Sequence, residues 1–146
     1  MKSNTHNQKN FLKSFSILLI AAFMLQSCAS KYAFSTSPVV PAAEGGVKVK
    51  KDGNNNYKVD VEVKRLAEAK RLTPPRQLYV VWMETEKNGM KNIGQLKTSS
   101  GMLSSTLRSN LETVSPFKPV SFMITAEDEP NVQYPGSQVV LKTNGY

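Results

Sequence analysis

Residues 57–64 alternate between apolar and charged side chains, and this alternation restricts the fold more than any other feature of the sequence. The apolar positions are Tyr57, Val59, Val61 and Val63. A helix would distribute the two kinds of side chain around its whole surface, so the pattern predicts a half-buried β-strand. Val47 and Val49 repeat the alternation ahead of a turn rich in Gly and Asn, which predicts a β-hairpin.

The charges of this hairpin favour one register. A pairing that sets valine opposite valine also brings Lys48 and Lys50 near Asp60 and Glu62. Because opposite charges on neighbouring strands attract, charge and hydrophobicity indicate the same pairing.

Further short strands are predicted downstream, separated by turns that contain Gly, Pro or Asn. They cover 77–84, 90–98, 120–126 and 138–143. The segment 102–115 has many Ser and Thr and is interpreted as one or two strands, with a helix as the open alternative. The sequence thus predicts an all-β fold, an antiparallel Ig-like β-sandwich of about six or seven strands over 47–146, with Trp82 in the centre of its core.

The N-terminus has the pattern of an export signal. Three lysines precede the apolar run 15–25, which is too short to span a bilayer as a helix. The run ends in Leu25-Gln26-Ser27-Cys28, which resembles the lipobox of bacterial lipoproteins, in which the cysteine is lipidated and becomes the mature N-terminus. We therefore predict a signal peptide over 1–27 and lipidation of Cys28. A signal peptide cleaved elsewhere, with Cys28 as an incidental thiol, is the alternative.

The segment 28–46 is rich in Ser, Ala, Pro and Gly and has no sustained periodicity. We interpret it as a flexible tether between the lipidated cysteine and the sandwich. With several acyl chains on Cys28, attachment to the membrane would be nearly permanent.

The chain contains one His and one Cys, His6 and Cys28, so neither residue type occurs in the predicted sandwich. This excludes His-based catalytic triads, His/Cys zinc sites and disulfides there. The acidic run 127–129 lacks the ligand spacing of calcium loops. We expect no metal, no small-molecule cofactor and no enzymatic activity. The net charge is +8, but an exported, tethered protein has no access to nucleic acid, so its basic residues are interpreted as a solvated face that suits anionic lipid.

Two parts of the sequence resemble the C-terminal domain of the anti-sigma-K factor family. Residues 79–82 followed by Gly89 and 93–94 are similar to its tyrosine/tryptophan strand and glycine hairpin. Thr125, Glu127, Pro135 and the final strand match the spacing of its last segment. The resemblance implies the extracytoplasmic sandwich of that family, without its sigma-binding domain. It also implies that Glu127 hydrogen-bonds backbone within its own turn.

A lipid-anchored binding or scaffold module of the bacterial envelope is the function that these features favour. Tyr79, Val81 and Met83 lie opposite Trp82 on one strand and are the predicted binding surface for an envelope protein or polymer. A carboxylate-dependent hydrolase acting near Glu127 and a passive structural lipoprotein are the alternatives. Ala29, which follows the cysteine, is not the Asp that retains many Gram-negative lipoproteins in the inner membrane, so the outer membrane is favoured.

Overall fold

The computed structural model describes residues 29–100 and 107–144, and these residues form two antiparallel β-sheets that pack face to face. The described strands are β1 (Ala29–Ala33), β2 (Glu44–Lys51), β3 (Tyr57–Lys64), β4 (Leu78–Thr85), β5 (Gly89–Gln95), β6 (Lys97–Ser100), β7 (Leu107–Ser115), β8 (Pro119–Glu127) and β9 (Val139–Lys142). The described residues contain one helical element, a 3₁₀ turn at Ala69–Arg71. The all-β sandwich is confirmed, with more strands than the sequence predicted.

One sheet has the order β1-β2-β3-β7-β6 and the other β5-β4-β8-β9. The core lies between them. The five-stranded sheet contributes mainly the valines of its central hairpin, and the four-stranded sheet contributes larger side chains. The fully buried members include Val59, Val61, Val63, Val81, Met83, Phe122, Ile124 and Leu141. Because every second residue of each strand points inwards, the charged residues between them are left on the outer faces.

The β2–β3 hairpin pairs valine with valine, as predicted, with Val47 opposite Val61. Lys48 lies directly opposite Asp60, whereas Lys50 lies opposite Lys58 and not opposite an acidic residue, so the predicted charge pairing holds for one of the two lysines. In the turn, the carboxylate of Asp52 accepts hydrogen bonds from the backbone N–H groups of Asn54 and Asn56, each at 2.8 Å. The turn is thus closed by a side chain that acts on its own backbone, which is a common use of Asp in loops.

The predicted strand 90–98 is two strands in the structure. The chain pairs with β4 as β5, crosses at Leu96 and joins the other sheet as β6 beside β7. The crossing is fixed because the Leu96 side chain is buried and its N–H donates to the carbonyl of Tyr79 at 3.0 Å. Alternating polar residues on both sides of Leu96 concealed this change of sheet.

The expected tether over 28–46 is wrong for its described part, residues 29–46. Ala29–Ala33 forms the edge strand β1, and the ring of Tyr32 packs edge-to-face on Phe122 of the opposite sheet at 5.1 Å. Farther along, the hydroxyl of Ser37 accepts the N–H of Val40, whose side chain is buried. Side-chain burial and a local hydrogen bond thus order a segment whose composition is typical of linkers.

The segment 102–115 is a strand where it is described. Leu107–Ser115 forms β7 between β3 and β6, so the helical alternative is wrong for those residues. The rest of that segment, the predicted signal peptide and Cys28 lie outside the described residues. Within the ranges that are described, no helix has the length and apolar character needed to cross a membrane.

Candidate functional site

The predicted binding surface on β4 is buried. Tyr79, Val81 and Met83 all belong to the core between the sheets. The alternation was assigned correctly, since these residues do lie opposite Trp82. The sequence predicts Trp82 on the core face and these three residues on the outer face, but the structure has the two faces the other way round. The outer face, which carries Trp82, is buried as well, so both faces of β4 are covered. These three side chains therefore cannot form an exposed interface.

Tyr79 has a structural role at this position. Its hydroxyl donates a 2.8 Å hydrogen bond to the carbonyl of Ala67, which fixes the loop between β3 and β4. Burial disfavours the charged phenolate and raises the pKa of Tyr79 to about 12. The hydroxyl thus remains a neutral donor at physiological pH.

The sequence predicts Trp82 in the centre of the core, but in the structure it lies on the outer face of the four-stranded sheet, outside the core between the two sheets. It is 0% exposed. Its indole N–H donates to the Thr125 hydroxyl at 2.8 Å, and that hydroxyl donates to a carboxylate oxygen of Glu127 at 2.5 Å. The same oxygen accepts the backbone N–H of Gly136 at 2.7 Å. A continuous chain of hydrogen bonds thus runs from the sheet to the loop that follows β8.

This loop, residues 128–138, is held against the sheet at further points. The Asn92 amide of β5 donates to the carbonyls of Pro130 and Val132 at 2.9 and 3.0 Å. Near its start, the Arg76 guanidinium is 2.6 Å from Asp128. We call this segment the clasped loop. Because it has no regular secondary structure, these side-chain bonds account for its fixed path.

The clasped loop presents an aromatic side chain to solvent. Tyr134 is 81% exposed, the largest value among the exposed large hydrophobic residues of the described part. Beside the loop, a hollow of about 660 Å³ lies between β5 and residues 130–133, and Met90 lines it. An exposed tyrosine on a rigid loop is typical of recognition surfaces, where aromatic side chains contribute most of the binding energy. The clasped loop is therefore the candidate functional site.

No protein-family model, curated protein or solved structure matches this chain. The resemblance to the anti-sigma-K factor family stays a prediction. In the structure the Glu127 carboxylate accepts the backbone N–H of Gly136, which lies nine residues downstream and not in the adjacent turn.

The acidic run 127–129 is divided between two roles. Glu127 is buried in the hydrogen-bond chain, and Asp128 forms an ion pair with Arg76. Within the described ranges, no group of three or more His, Cys, Asp or Glu residues is arranged to hold a metal ion. The hydrolase alternative needs two carboxylates across an open cleft, and the buried Glu127, whose Oε1 accepts two hydrogen bonds, does not provide one of them.

Sequence reasoning missed Asn92, Arg76 and the clasped loop as a surface. The sequence contains one relevant feature, a glycine at position 136 that follows Thr125 and Glu127. In the structure, a Cβ at this position would lie 2.7 Å from a Glu127 carboxylate oxygen. A side chain at position 136 would therefore require the Glu127 carboxylate to move away from the backbone. This close approach of backbone to carboxylate becomes evident only when the loop is seen to fold back over the sheet.

Proposed function

We propose that this protein is a bacterial lipoprotein, anchored through Cys28 in the cell envelope, whose β-sandwich is a non-catalytic module that binds an envelope protein through the clasped loop. The observation that carries the proposal is the exposed Tyr134 on a loop fixed by side-chain hydrogen bonds. A fixed loop loses little conformational entropy on binding, so its exposed aromatic residue contributes efficiently to affinity.

The position of the anchor supports this arrangement. Ala29, the residue after Cys28 in the sequence, is already part of β1. Lipidation of Cys28 would therefore hold the sandwich close to the bilayer. Strand β8 begins at the end of the sandwich where the chain enters and finishes at the opposite end. The clasped loop begins at that opposite end, at residue 128. The loop would thus be accessible to a partner, and Ala29 after the cysteine favours the outer membrane.

The anchor is tested by the intact mass of the protein extracted from membranes. We expect a polypeptide that begins at Cys28 and carries the added mass of two or three acyl chains. A Cys28→Ser variant is the control and should lack the added lipid. A processed wild-type chain without acyl chains would contradict lipid anchoring and indicate a secreted protein.

The recognition surface is tested by cross-linking in intact cells, followed by solubilisation of the envelope. Loss of a central aromatic contact typically costs more than about 1.4 kcal/mol, a factor of ten in affinity. We therefore expect Tyr134→Ser to reduce the amount of the complex cross-linked to a partner protein about tenfold relative to wild type. Val39→Ser is the matched control, because it removes another exposed apolar side chain that lies outside the clasped loop.

Equal recovery from the wild type and Tyr134→Ser would show that the clasped loop is not the binding surface. Cross-linking to glycan in place of protein would show that the partner is an envelope polymer. If the wild type forms no specific complex and its deletion only weakens the envelope, the passive structural alternative is correct.

A further inference from the structure

Lysines are concentrated at the end of the sandwich where the chain enters. The row of outward-facing residues nearest Ala29 contains Lys50, Lys58 and Val114, which follow one another across β2, β3 and β7. Lys51, the last residue of β2, lines one hollow of about 310 Å³ together with Lys87 and Lys118 of the adjoining turns. We call this region, the row together with Lys51 and the turns 52–56, 86–88 and 116–118, the anchor end.

The acidic residues of the anchor end are already bonded. Glu86 lies 3.1 Å from Lys118, and Glu112 lies 3.5 Å from Lys58. The Asp52 carboxylate accepts backbone N–H groups of its own turn, and these bonds lower its pKa. This leaves three lysines, Lys50, Lys51 and Lys87, that form no ion pair with any described residue.

The opposite end of the sandwich has a different charge arrangement. Its arginines form ion pairs, as in Arg65–Glu44, Arg71–Glu68 and Arg76–Asp128. Lysines without an ion pair also occur elsewhere in the described part, as at Lys70 and Lys97. The anchor end differs in that it brings three of them, Lys50, Lys51 and Lys87, together beside the entry point of the chain.

We infer that the anchor end lies against the anionic phospholipid headgroups of the membrane that holds the protein. The inference rests on the proposed anchor at Cys28. Ala29 pairs directly with Lys50, and adjacent strands lie about 4.8 Å apart. An anchored chain therefore holds Lys50 and its neighbours within roughly one Debye length, about 8 Å, of the lipid surface. Val114, 60% exposed in the same row, is an apolar side chain that suits the boundary between headgroups and acyl chains.

The test is lysine acetylation of the full lipoprotein reconstituted in vesicles, with each site quantified by mass spectrometry. Two vesicle types are compared, phosphatidylcholine with phosphatidylglycerol and phosphatidylcholine alone. For a lysine near an anionic surface, attraction to the headgroups favours contact with the surface over exposure to solvent roughly fivefold. We expect at least fivefold slower acetylation of Lys50, Lys51 and Lys87 on the anionic vesicles at low salt, with recovery at 0.5 M NaCl.

Lys70 and Lys97 are the internal references, because both are exposed and lie away from the anchor end. Their acetylation should differ less than twofold between the vesicles. Equal rates at all five lysines, or equal protection on neutral vesicles, would overturn headgroup docking while leaving the anchor intact. A protein that carries no acyl chain and does not float with the vesicles would overturn both the anchor and the docking.

Discussion

Replacing Trp82 with alanine is expected to lower the free energy of unfolding by about 3–5 kcal/mol. The side chain is fully buried beneath the clasped loop, so truncation leaves a large cavity. It also removes the indole N–H that donates to Thr125. Domains of this size are stable by only about 5–15 kcal/mol, so the variant would lose a large share of its stability. Urea denaturation followed by far-UV circular dichroism measures the change, because the chain has a single Trp and the variant lacks it.

A second variant separates the cavity from the hydrogen bond. Trp82→Phe keeps most of the ring volume but removes the N–H donor, and we expect it to cost about 1–3 kcal/mol. Tyr134→Ala is the surface control and should change stability by no more than about 0.5 kcal/mol. In Trp82→Ala the amide of Gly136 should also exchange its hydrogen faster, since its acceptor Glu127 is held through Thr125. A loss below about 1 kcal/mol for Trp82→Ala would show that the loop and the tryptophan do not stabilise each other.

The central hairpin was predictable because one local pattern determines it. Alternating valines specify which face is buried and so restrict the register, and Lys48 opposite Asp60 agrees with it. Strand β4 was harder, because its residues are apolar on both faces. Alternation then shows which residues share a face, but it does not show what covers each face. On the outer face, Trp82 is connected through Thr125 and Glu127 to a loop nearly fifty residues downstream, a contact that local alternation does not reveal.

The N-terminal segment was mispredicted for a related reason. Its composition is that of a linker, and its buried or partly buried apolar residues give no periodic signal; they are Tyr32, Phe34, Val40 and Ala43. In the fold, β1 lies at the edge of the sheet and the chain then passes to the other sheet, where the N–H of Ser35 donates to the carbonyl of Lys142 at 2.9 Å. Such edge strands depend on long-range backbone pairing, for which the local sequence carries little information. The consequence for function is direct, because the sandwich then begins immediately after the proposed lipid anchor.

Replacing Gly45 with alanine is expected to cost about 3 kcal/mol of stability, at the upper end of the usual cost of overpacking. Gly45 has a φ of +157° in β2, opposite Val63 of β3. A Cβ there would overlap the carbonyl oxygen of Glu62 and lie 2.9 Å from the Cα of Val63. Both neighbours are backbone atoms of a paired strand, so the strain is relieved only if β2 and β3 separate.

Gly53→Ala is the matched control, because a Cβ at that turn position meets nothing within 4 Å. We expect it to change stability by no more than about 0.5 kcal/mol. Thermal and urea unfolding of both variants test the difference, and hydrogen exchange locates it. In Gly45→Ala the amides of β1 and β2 should lose protection first, because the N–H of Phe34 donates to the Gly45 carbonyl and joins the N-terminal strand to this site. Equal stability of the two variants would mean that β2 tolerates a side chain at Gly45. In that case the close approach of Gly45 to β3 would not contribute to holding β1, the strand that follows the proposed lipid anchor.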